Sequence, residues 1–224
     1  MNRFAEFYVD QLEADLNWRE QELAILRKQL LQTRIGSTQE VTFLRTNLAM
    51  IYAHYEGFCK FALGVYIDAL EKLALKRVDL RWVIASQSLT QFHTELKNVS
   101  DPSEYFNKLF TELDTHLNEK ATYQKPENVA NLWPDLLMSW QSRLGLDTKM
   151  VQNEQTRLES LVTTRNHIAH GKKLTVSNRA ELDAHAKAAT LAMHEVAVGI
   201  ADALDNKLYL RSSQVMTIFP HAIT

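Results

Sequence analysis

Cysteine is nearly missing from this chain: Cys59 stands alone among 224 residues. A lone thiol cannot close an intrachain disulfide or build a cysteine zinc cluster, which excludes disulfide-stapled and zinc-ribbon scaffolds. Cys59 lies inside a helical pattern and reads as a small buried side chain rather than a nucleophile. Proline and glycine are scarce as well, at four and six. With so few breakers, and with many Leu, Ala, Glu, Gln and Lys residues in periodic runs, the chain is expected to be all-α. Neither sign of charge is in excess, since 25 Lys and Arg face 27 Asp and Glu for a net charge of -2. That argues against a protein that coats nucleic acid with its whole surface and leaves room for a local cationic pocket. No apolar run approaches a membrane span. Residues 1–19 are amphipathic and carry acids, unlike a secretory leader. The expectation is one soluble cytoplasmic domain with no membrane partner.

Hydrophobic spacing divides the chain into helices. Phe4, Phe7, Tyr8, Leu12, Leu16, Leu23, Leu26 and Leu30 mark one face of a helix over about 3–33. Arg34-Ile35-Gly36 breaks it, and Ser37-Thr38-Gln39-Glu40 has the form of a capping box that opens a second long helix over about 38–76. The two should form an antiparallel hairpin long enough to project beyond a bundle. Gly57 and Gly64 lie seven apart on the second helix, which suggests a close helix–helix approach. Further helices are expected over 80–96, from Pro102 with Tyr105, Leu109, Phe110 and Leu113 inward, and over 132–144 with Gly145 as stop. A helix over about 148–170, capped by Asp147, follows, then one from the Asn178/Glu181 cap to about 206. Residues 1–36 read as an N-terminal extension of a single domain spanning 1–224, and 207–224 as a tail packed as an extended strap. Trp82, Trp133 and Trp140 are expected to fill core gaps rather than stack on bases.

The chemistry concentrates in Thr163-Thr164-Arg165-Asn166-His167-Ile168-Ala169-His170-Gly171. Leu158, Leu161 and Val162 form an apolar stripe, and Arg165 falls on that stripe seven residues after Leu158. A guanidinium keeps its proton, so burying it requires an anion: either a carboxylate from another helix or a bound phosphate. His170 sits near the helix C-terminus, where the dipole favours imidazolium, and Gly171 suits the position after the cap. Asn166 is four residues before His170, on the same face, and can orient its ring. His167 offers either a second proton donor or a capping side chain. On an ideal helix Arg165 is about 140° around from His170, so a long side chain or a distorted last turn must close the gap. His167 and His170 lack third and fourth ligands nearby in sequence, so no metal and no other cofactor is expected.

Arg165-x4-His170, within Arg-Asn-x-Ile-Ala-His-Gly at the end of an apolar helix, resembles the Arg-x(4–6)-His signature of the HEPN superfamily. Tyr52-Ala53-His54-Tyr55-Glu56-Gly57-Phe58-Cys59-Lys60 is similar to an early core helix of its bacterial members. The resemblance implies a HEPN-type helical bundle that dimerises. It further implies a metal-independent endoribonuclease of toxin–antitoxin or phage-defence systems, with Arg165, Asn166 and His170 as catalytic residues in a cleft between two copies. A tyrosine that some HEPN toxins carry two residues after the histidine, as a modification target, is Lys172 here.

RNA brings its own 2′-hydroxyl nucleophile. A histidine can move the protons and an arginine can grip the nonbridging oxygens, leaving a 2′,3′-cyclic phosphate. Glu56 is either a supporting counter-ion for Arg165 or His170 or an i,i+4 partner of Lys60. Lys172 and Lys173 either bind flanking RNA phosphates or belong to a solvated loop. The implied partners are an RNA substrate, a second copy, and an antitoxin or regulatory protein. The alternative is a catalytically silent module that binds nucleotide, RNA or protein through the same cleft, with the hairpin as docking arm.

Overall fold

Burial along the second helix organises the molecule. A computed structural model describes residues 2–126, 130–173 and 176–211, and nine α-helices run through them. The first, α1 (Arg3–Leu31), and the second, α2 (Thr38–Lys72), form the expected antiparallel hairpin. Asn2 caps α1 through the Ala5 amide, and Ser37 caps α2 through the Glu40 amide at 3.1 Å. Tyr52, Tyr55, Phe58, Cys59, Ala62, Leu63, Tyr66 and Ile67 of α2 are all buried. A helix apolar on so many sides must be surrounded, and α2 is covered by α1, α6 (Pro134–Arg143), α8 (Gln155–Ala169) and α9 (Arg179–Asp205). Leu182, Ala188, Ala189, Ala192, Met193 and Val196 line the inner face of α9. Burial pushes the Cys59 thiol far above its ordinary pKa, in keeping with an unreactive packing role. No helix among the described residues is long and apolar enough to cross a membrane.

The helix expected over 80–96 is two, α3 (Trp82–Gln87) and α4 (Thr90–Lys97). The break falls at Ser88, whose hydroxyl accepts from Arg77 Nε at 2.8 Å and from the Thr122 amide at 2.9 Å. A hydroxyl held by two distant donors fixes a turn that local periodicity does not announce. The helix expected over 148–170 is likewise broken at Glu154, into α7 (Lys149–Asn153) and α8. Asp147 does accept from the Thr148 amide, at 2.7 Å, but a carboxylate from α9 sets the direction of α7. Glu195 takes the otherwise unpaired amides of Met150 and Val151 at 2.6 and 3.1 Å.

Helix α5 (Pro102–Asn118) starts where expected, with the Asp101 cap, but buries none of its residues. It rests mainly on α4 and the turn at 77–79, so a single stripe is covered. Tyr105, Leu109 and Leu113 turn inward over a cleft of about 640 Å³, whereas Phe110 points outward, 75% exposed and stacked on Phe106. Phe7 of α1 also faces out, against expectation. Gly57 does meet a close neighbour, since a Cβ there would lie 2.8 Å from Arg19 Nη1. Nothing approaches Gly64, so no helix seam runs through both glycines. Trp140 packs against the core, but Trp82 and Trp133 are exposed, and Arg211 lies over the Trp82 ring at 3.4 Å. The start of the expected strap is extended: Leu210 bridges Leu80 and the Arg211 amide donates to Asp79. Its remainder, 212–224, lies outside the described residues.

Candidate active site

Leu158, Leu161 and Val162 are fully buried against α2 and α9, and they fix the rotation of α8 about its axis. Arg165 continues that stripe to the rim of the core, where it is half-buried. Its Nη1 donates to Asn131 Oδ1 at 3.1 Å and to Asn166 Oδ1 at 3.0 Å. The guanidinium carbon stands over the Tyr52 ring, 4.4 Å from its centroid, in cation–π geometry. Among the described residues no carboxylate pairs with Arg165, and its Nε and Nη2 make no hydrogen bond.

Tyr52 is buried and held in place by the segment before α6. Its hydroxyl accepts from the Leu132 amide at 3.1 Å and lies 3.4 Å from Asn131 Oδ1. Burial first, and the Glu56 carboxylate second, push its pKa up to about 12. Glu56 is not the counter-ion of Arg165. It pairs with Lys60 at 2.8 Å, one helical turn on, and acts on the site through its effect on Tyr52. The i,i+4 geometry of one helix provides a nearer cation than a neighbouring helix does.

Helix α8 ends in a Schellman turn around His170. The Lys172 amide donates to the His167 carbonyl and the Gly171 amide to that of Ile168, each at 3.0 Å, with Gly171 at φ 73°. The left-handed backbone is what requires glycine there, since a Cβ would meet no atom within 4 Å. His170 is exposed, and its amide donates to the Asn166 carbonyl at 3.0 Å. The Asn166 side-chain oxygen is engaged by Arg165, so this amide orients the arginine rather than the imidazole. His167 is half-buried, and its Nδ1 is shielded without a hydrogen-bond partner. Lys172 and Lys173 are exposed, and the loop carrying them is tied down by Arg45, which donates to the Lys172 carbonyl at 2.9 Å.

The motif thus gathers Arg165, Asn166, His167, His170, Lys172 and Lys173 at one end of α8. To these the tertiary structure adds Tyr52, Asn131 and Arg45. Tyr52 stood in the sequence only as the first residue of the Tyr52–Lys60 segment, with no site role. Asn131 carried one faint signal, an asparagine beside a proline-started helix; it adopts φ 52°, a left-handed conformation asparagine tolerates.

An all-α bundle with an Arg–Asn pair and a capping histidine ending a core helix is the HEPN architecture. A family model described as MAE_28990-like HEPN matches residues 8–209, and the chain belongs to the HEPN superfamily. No curated protein and no solved structure matches it significantly. HEPN membership places the chain in a nuclease-linked superfamily.

Proposed function

We propose that the protein is a metal-independent HEPN endoribonuclease and that Arg165 and His170 carry the reaction. The single observation behind this reading is a half-buried guanidinium with no carboxylate partner among the described residues, one edge of it open, at the same end of α8 as an exposed histidine. That edge suits two oxygens of a phosphate. In the reaction the 2′-oxygen bonds to phosphorus and the 5′-oxygen leaves, giving a 2′,3′-cyclic phosphate and a 5′-hydroxyl. One imidazole takes the 2′ proton and a second donates to the leaving oxygen, while arginine stabilises the crowded phosphorane. A two-fold dimer with the motif at its interface supplies both histidines and both arginines. Asn166 holds Arg165, and Lys172 and Lys173 bind flanking phosphates. A toxin or defence effector restrained by a partner protein is the matching biological role.

The experiment is incubation of purified protein with single-stranded RNA in excess chelator, with the cleaved ends identified. Cyclic-phosphate termini are expected from the wild type, with a loss of about 10²–10⁴-fold in His170→Ala. Undiminished cutting by a folded His170→Ala protein sinks the assignment. A second reading, binding without cutting, is favoured by two observations. Arg165 and His170 share no hydrogen bond within one chain, and Phe7, Trp18 and Ile25 leave an exposed apolar edge on α1 that suits a docking arm. RNA binding with intact product-free RNA would select it.

A further inference from the structure

We infer that the electrical neutrality of the Arg165 cradle makes this site an anion receptor, and that Asn131 and Tyr52 are its positioning residues. The inference rests on the reading of Arg165 as the phosphate-gripping group and goes on to say how the charge is kept available. Two other arginines of this chain that join distant segments are met by acids. Arg179 sits on Glu40 at 2.6 Å, and Arg27 on Asp183 at 2.7 Å. Such a pair orients the guanidinium and cancels its charge together. Among the described residues, Arg165 is oriented by groups that carry no formal charge: two amide oxygens on Nη1 and an aromatic face beneath Cζ. The arginine is aimed, and its positive charge remains for whatever occupies the Nε–Nη2 edge.

Each member of the cradle is itself fixed. Asn131 is at φ 52°, and its carbonyl accepts from the Trp133 amide at 3.0 Å, which ties the turn to the start of α6. Tyr52 is locked between the Leu132 amide and the Asn131 side chain, and as an un-ionised phenol it adds no negative charge. Glu56, one helical turn after Tyr52, is paired with Lys60 at 2.8 Å. Asn131 therefore meets two demands at once, a left-handed backbone and a neutral acceptor. Aspartate tolerates the same backbone, so Asn131→Asp changes the charge and little else.

The test uses the full chain and an RNA oligonucleotide carrying 2′-deoxy sugars throughout, which cannot be cut, read by fluorescence anisotropy over a salt series. Asn131→Asp is expected to bind about tenfold more weakly, with a log–log salt slope smaller by roughly one phosphate contact. Its thermal midpoint should equal or exceed the wild-type value, because a new ion pair forms. A merely structural role would instead lower the midpoint and leave the slope unchanged. Asn131→Gly keeps the turn and removes the oxygen; cleavable RNA should be cut about tenfold more slowly at unchanged affinity. Unaltered affinity in Asn131→Asp, unaltered cutting in Asn131→Gly, or an Asn131→Asp protein that fails to fold each overturns the cradle. A wild type that neither binds nor cuts RNA removes the reading of Arg165 and the cradle with it, whereas a binding wild type beside an indifferent Asn131→Asp removes the cradle alone.

Discussion

Arg77 and Arg165 are both arginines that join distant segments, and their surroundings differ in kind. Arg77, in the turn beside α5, is buried and donates to the Ser88 hydroxyl at 2.8 Å, the His116 carbonyl at 2.7 Å and the Glu119 carboxylate at 2.8 Å. Its charge is matched, and it lowers the pKa of Glu119 chiefly through that hydrogen bond. Arg165 sits at the rim of the core, yet among the described residues no carboxylate meets it. A charge compensated from within holds a fold together, while one left open at the edge of a rigid core is available for a ligand. The peripheral helix α5, which buries nothing, depends on the first kind of arginine. The motif end of α8, anchored by three fully buried aliphatic residues, can carry the second kind.

The contrast is best broken by exchanging the expected phenotypes. Arg165→Ala should reduce RNA cleavage about 10²–10³-fold and move stability by less than about 1 kcal/mol, as read by a cleavage time course beside a urea melt. Arg77→Ala should do the reverse, costing about 2–3 kcal/mol by stranding several partners, with cleavage per folded molecule unchanged. If both variants fall in the same assay, the distinction between the two sites is lost. A smaller effect sharpens the picture at the loop: replacing Lys172 and Lys173 together with alanine should lower the salt slope of RNA binding by about two contacts at most. An unchanged slope would return both lysines to a solvated loop.

The smallest effect concerns the support beneath the site. His185 of α9 is buried, and its Nδ1 lies 3.2 Å from the Arg157 carbonyl of α8. Burial pushes its pKa below the ordinary value, against the opposing pull of that hydrogen bond. His54, beside Arg19 and Glu22, is shifted the same way by the same cause. A histidine kept neutral in the fold and free to protonate when unfolded stabilises above its unfolded pKa of about 6.5, and that contribution is lost as pH falls further. The thermal midpoint should therefore drop below about pH 6.5, and His185→Gln should flatten part of the slope. An identical slope in that variant would acquit His185.

What was legible in the chain followed from local physics. The Ser37 and Asn178 caps, the Pro102 start and the Gly145 and Gly171 stops all act within a few residues, and the structure places them as expected. Breaks at Ser88 and Glu154 were invisible because their causes, Arg77 with Thr122 and Glu195, lie far away in sequence. Phe110 faces outward for a related reason: its periodicity is helical, but among the described residues no second element covers that side of α5.

The order of residues alone determined that this protein is an all-α bundle and that arginine, asparagine and histidine stand together at the end of a core helix, because helical spacing and capping are local properties. Only the tertiary structure decided what surrounds Arg165. Asn131 and Tyr52 lie 34 and 113 residues before it in the chain, and whether a buried charge is neutralised depends on which groups packing brings within hydrogen-bond reach.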